Sequence, residues 1–145
     1  MKLALLLLPV LCLAGETITG GSVKEIIFMR LDKGDLLLES IDKAIDSNKI
    51  TTGAVLTAAG AVEECKFHGV GGTMTDIKEP LELNNLNGII ADGKTHLHIT
   101  VSSKALGALG GHLEKGCKVA NHVELTLARF NGPALTRVNG ELKKK

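Results

Sequence analysis

The sequence predicts an α+β fold: an antiparallel β-sheet of six to seven strands flanked by one main helix. Three observations carry that reading. One segment alone has apolar residues at helical spacing, Leu37, Ile41, Ala44 and Ile45. Everything after it reads as apolar or alternating runs with the period of strands. Short Gly- and Asp-containing turns separate those runs, as antiparallel neighbours require.

Val23–Leu31 is rich in β-branched and large apolar residues and is expected as the first strand. Gly34-Asp35 opens the helix, which runs to about Asn48. Asp35 suits its positive end, Lys43 and Lys49 suit its negative end, and Asn48 can stop it. Thr52–Ala59 is small and apolar, suited to a buried strand; Gly60 breaks it, and Glu63–His68 alternates. Gly69, Gly71 and Gly72 mark a turn before Thr73–Ile77. Pro80–Leu83 and Leu86–Ile90 read as short strands, and Asp92-Gly93 as a hairpin turn. Lys94–Ser102 alternates strictly, and Lys118–Ala128 is the longest late strand. No linker, repeat or low-complexity stretch interrupts this order beyond Lys143–Lys145, so residues 15–145 are expected to form one domain.

Residues 1–14 read differently. Lys2 is their only charge, Leu3–Leu13 is apolar throughout, and Cys12 and Ala14 are small enough to flank a cleavage site after Ala14. A secretory signal peptide is expected, and with it a secreted, lumenal or periplasmic location. The run is too short for a membrane span, which needs about 18–20 apolar residues. The alternative is a buried first strand, which a Leu-rich run without alternation suits less well. Cleavage would leave Cys65 and Cys117, either paired or as two buried thiols.

Charge excludes one class of function. The 145 residues hold 17 Lys+Arg against 16 Asp+Glu, and loss of Lys2 leaves 16 − 16 = 0. That balance lacks the basic field of nonspecific nucleic-acid binders. With three Phe and no Trp or Tyr, the chain also lacks a stacking platform for bases.

The segment with chemistry is Thr95-His96-Leu97-His98-Ile99-Thr100-Val101. Strand alternation puts Leu97, Ile99 and Val101 on one face and His96, His98 and Thr100 on the other. Two imidazoles at i and i+2 on one face can chelate one cation. Gly110-Gly111-His112 follows, and the glycines are expected to turn the backbone and bring in a third imidazole. Three His with an open fourth position suit Zn²⁺ or a similar divalent transition metal, and leave room for a small-molecule ligand. The alternative is a polar strand face with two incidental histidines. His68 and His122 read as structural or surface residues. Gly88–Thr95 matches the phosphate-loop pattern literally, but the helix that such a loop needs does not follow. For a metal-dependent, hydrolase-like enzyme, Glu114 would serve as general base beside a metal-bound water. Ser102, Ser103 and Cys117 lie nearby without a fixed nucleophile–base arrangement.

Glu79–Leu83, Gly88, Asp92-Gly93-Lys94, His96-Leu97-His98, Gly110-Gly111-His112-Leu113, Gly116-Cys117 and Glu124 together resemble the PPC family, the plants and prokaryotes conserved domain, also called DUF296. Arg30-Leu31, Gly34-Asp35-Leu36 and Gly53–Val62 are similar to its first half, and Asn139-Gly140-Glu141-Leu142 to its end. The resemblance implies an antiparallel sheet with a flanking helix, assembled as a homotrimer. It implies a metal site on His96, His98 and His112, and a buried thiol at Cys117 in preference to a bond with Cys65. It also brings a DNA-binding label, which in the plant proteins accompanies an AT-hook. This chain has no AT-hook, no Arg-Gly-Arg arm and no Gly-Arg-Phe-Glu-Ile-Leu signature. A homotrimer is expected to bury the sheet face that one helix leaves open, and an aspartate at Leu125 is expected to break it.

Overall fold

The computed structural model describes residues 15–145; the expected signal peptide, residues 1–14, lies outside the described residues. The elements are β1 (Ser22–Asp32), α1 (Leu37–Ser47), β2 (Thr52–His68), β3 (Met74–Ile77), β4 (Leu81–Ala91), β5 (Lys94–Ser103), β6 (Gly107–Leu113), β7 (Lys118–Asn131), β8 (Leu135–Val138) and β9 (Glu141–Lys144). Seven strands make one antiparallel sheet in the order β1-β7-β2-β4-β5-β6, with β3 paired to β2. The last residues of β2 also pair with β6, Phe67 opposite Leu113 and His68 opposite His112. The ring β2-β4-β5-β6 therefore closes on itself.

Burial follows from alternation. Val55, Val62, Phe67, Leu86, Leu97, Ile99, Val101, Leu113, Val123 and Leu127 are buried in one cluster with Leu37, Ile41 and Ile45 of α1. The helix thus seals the inner face, and the Thr95 hydroxyl donates to Asp42 on it at 3.2 Å. His96 and His98 point the other way, to the outer face, because they alternate with Leu97 and Ile99.

Several boundaries differ from expectation, each for a physical reason. Thr52–Ala59 and Glu63–His68 form one 17-residue strand, not two. Gly60 stays in it at φ 148°, where a Cβ would strike the His122 carbonyl of the neighbouring β7. The glycine permits a close strand approach instead of a break. Likewise Leu81–Ala91 is one strand with an irregularity between Leu83 and Asn85. The Gly110-Gly111 pair is no turn but part of β6. A Cβ on Gly110 would meet the Ile99 carbonyl, and one on Gly111 the His68 carbonyl. The C-terminal hairpin β8–β9 carries no alternating pattern strong enough to predict. Asp92 and Gly93, at φ 52° and 71°, do form the β4–β5 hairpin turn, so no helix follows the apparent phosphate loop.

Cys65 and Cys117 are joined by a disulfide, in place of the buried free thiol that the resemblance implied. The reason is register: Glu64 of β2 lies opposite Lys118 of β7, which carries the two cysteines to neighbouring positions across the strands. A bond closing 52 residues of sequence stabilises the fold by roughly 2–4 kcal/mol. Leu125 is also corrected. It is 3% exposed and faces the core, so it cannot be an interface position.

Candidate metal centre

The histidines converge because of strand register. His98 of β5 lies opposite His112 of β6, and His112 lies opposite His68 of β2. His96 is two residues before His98 on the same outer face. The ligand atoms of His96, His98 and His112 all lie within 4.8 Å of one another. The His96 and His98 rings are stacked with centroids 5.3 Å apart, and His112 stands edge-on to both. A tetrahedral cation about 2.0–2.1 Å from each nitrogen needs them about 3.4 Å apart. All three imidazoles predicted from the sequence are therefore together, and their neutral nitrogen donors fit a borderline divalent metal.

His68, expected to be a structural or surface residue, is beside them. Its ring centroid is 4.7 Å from that of His112. The Glu114 amide donates to the Lys66 carbonyl at 3.0 Å, which extends the β2–β6 pairing and brings the Glu114 side chain to His68. His68 Nδ1 meets Glu114 Oε1 at 2.8 Å. A carboxylate only accepts, so the Nδ1–H of His68 donates. The carboxylate thereby fixes the orientation of the His68 ring, which packs on His112. Glu114 thus does not hang free in a loop as general base; it is held by His68. No local sequence signal reveals the pair, since it exists only through long-range register. His122 stays exposed on β7, as expected. Ser103 donates to Glu79 at 3.1 Å, and Cys117 is consumed in the disulfide and offers no free thiol.

Burial lowers the proton affinity of His96, and the charges of Arg137, His112 and His98 lower it further. His112 is lowered first by burial and then by His68, His98 and Arg137, against the opposing pull of Glu114. Both rings hence keep the neutral form that a metal needs to lower pH than an ordinary histidine. Above pH 6.5 folded and unfolded chains both hold these rings neutral. Below it the unfolded chain takes up protons first, so stability falls as pH drops from 6.5 through the lowered folded values. Urea melts of metal-free protein at neutral pH and at about pH 5.5 should show that decline, and it should shrink in a His96→Asn/His112→Asn variant.

A cleft of about 430 Å³ lies elsewhere, between residues 16–23 and the C-terminal hairpin, and no histidine lines it.

Comparison with known proteins gives three informative relatives. The chain is 30% identical over 109 residues, 74% of its length, to the bifunctional protein GlmU of a Synechococcus strain. It spans only 17% of that relative. A crystal structure of a metal-containing protein from Archaeoglobus fulgidus has a TM-score of 0.72 at 22% identity, covering 86% of this chain and 94% of the other. A Bacteroides thetaiotaomicron structure described as that of a candidate DNA-binding protein has a TM-score of 0.68 at 20% identity, covering 86% and 96%. At those identities the likeness concerns the fold. The family model of the Plants and Prokaryotes Conserved domain matches residues 18–131, most of the chain, and the protein belongs to that family.

Proposed function

We propose that the protein is a homotrimeric metal-binding member of its family, acting in a secreted, lumenal or periplasmic compartment, with Zn²⁺ or a similar divalent metal held by His96, His98 and His112. The observation that carries the metal reading is the convergence of three imidazole donors from β5 and β6 within 4.8 Å. The metal-containing Archaeoglobus relative of the same fold supports it. When bound, such a metal supplies Lewis acidity at its open fourth position. The chain's own residues orient the donors: Glu114 fixes the His68 ring, and His68 packs on His112. Elemental analysis of protein purified without chelator is the direct test. The apolar leader supports the compartment, and so does the Cys65–Cys117 bond, since disulfides persist where the surroundings are oxidising. A homotrimer fits the apolar residues left on the outer sheet face, Ile26, Phe28 and Leu56, exposed by 41%, 80% and 46%.

DNA binding is the second reading, favoured by the description of the Bacteroides relative. Charge weighs against it. With basic and acidic residues balanced, affinity for duplex DNA at physiological salt is expected to be no better than about 10⁻⁴–10⁻⁶ M, the range of nonspecific contact. Fluorescence anisotropy with labelled duplexes measures this, and a sequence-specific nanomolar complex would establish the DNA reading instead. A metal-dependent hydrolase is the third. Glu114 is half-buried and bonded to His68, so a base for water must be the pair, not the carboxylate alone.

A further inference from the structure

We propose that the open side of the histidine cluster is an oxyanion site, in which Arg137 and the metal together hold the carboxylate or phosphate group of a small molecule. The inference rests on the metal reading above and adds to it the class of ligand.

Arg137 lies on β8, which is pinned near the start of β5. The Leu135 amide donates to Thr52 Oγ1 at 3.4 Å, and Lys145 at the end of the hairpin pairs with Asp92 at 3.0 Å in the β4–β5 turn. Arg137 is two residues beyond Leu135, and His96 two residues into β5. β8 lies against β4, whose Ile89 is opposite His96 of β5, and Arg137 is the guanidinium that β8 carries there. Yet its Nε is buried without a hydrogen-bond partner, and no carboxylate pairs with the group among the described residues. A buried N–H left unpaired costs about 1–3 kcal/mol, so such a group marks a place where a partner belongs.

Charge gives the partner's chemistry. A divalent metal on three neutral imidazoles, with one guanidinium alongside, leaves three positive charges in a half-buried site. Glu114 is already bonded to His68. A cation is repelled by this arrangement, and a neutral ligand leaves it uncompensated. An oxyanion satisfies both ends, with one oxygen on the metal and another on the guanidinium, whose planar fork matches carboxylate and phosphate oxygens.

The full chain loaded with Co²⁺ tests this by its visible spectrum, with acetate and inorganic phosphate as separate probes and chloride holding the ionic strength. The spectrum of the wild type is expected to change saturably with at least one of the two, and which one responds separates carboxylate from phosphate ligands. Arg137→Gln should keep about one cobalt per chain and weaken that anion at least about tenfold, with Arg137→Lys in between. Equal anion affinity in wild type and Arg137→Gln would overturn the proposal. So would the absence of a saturable change with either probe, or the loss of cobalt from both variants, which would make Arg137 a residue of the fold. A wild type that takes up no cobalt fails before any anion is added, and it is the metal reading that then falls.

Discussion

Purified without chelator or polyhistidine tag, the protein should carry close to one equivalent of Zn²⁺ per chain, and His98→Ala should remove most of it. The expectation follows from ligand number. Three imidazoles with an open fourth position make a recognised zinc set; two leave most of the cation's shell to water. Substituting even a group that only orients a ligand typically costs 10–100-fold in metal affinity. Loss of a direct ligand should therefore cost at least about 100-fold, enough to empty the site at micromolar metal. His98 is the best choice because it is exposed, so its replacement leaves no cavity. His96 and His112 are partly buried, and their truncation mixes metal loss with lost packing. Zinc retained at one equivalent in a His96/His98/His112 triple alanine variant would end the assignment.

The part of this site that could be read from sequence was the part set by local geometry. Alternation places His96 and His98 on one face whatever the rest of the chain does. His112 was placed with them for a wrong reason. Its glycines let β6 lie against Ile99 and His68, where any Cβ would collide, instead of turning a loop inward. His68, Glu114 and Arg137 were out of reach, since each arrives by a pairing or a packing contact far along the chain. The same division runs through the fold. Helix α1 is legible from its stripe, and the β4–β5 hairpin from Asp92-Gly93. Glycine inside a strand is the ambiguous case: Gly60 reads as a break in sequence but is a point of close approach in space. The disulfide shows the limit of analogy. The family pattern at Cys117 implied a free thiol, whereas register with β2 sets Cys65 beside it.

Light scattering should find a trimer at micromolar concentration, and Phe28→Asp should dissociate it without unfolding the subunit. Phe28 sits on the outer face of β1 opposite Thr126, in line with Thr57 of β2, and is 80% exposed. Ile26 and Leu56 are exposed close by, and the small residues Ala54 and Ala128 fill the row beside Ile26. Burying most of a Phe removes about 150 Å² from water, worth about 4 kcal/mol at 25 cal/mol per Å². Closed cyclic symmetry repeats that gain in every subunit and leaves no free copy of the patch. Aspartate forfeits the gain and adds the cost of burying an unpaired carboxylate. Leu125→Asp supplies the contrast. That side chain is among core residues on the inner face, so its charge should unfold the subunit instead of separating intact ones. Urea melts alongside scattering distinguish the two outcomes. A wild-type chain that stays monomeric and soluble at micromolar concentration would leave Phe28 exposed for another purpose, and the trimer reading would have to be given up.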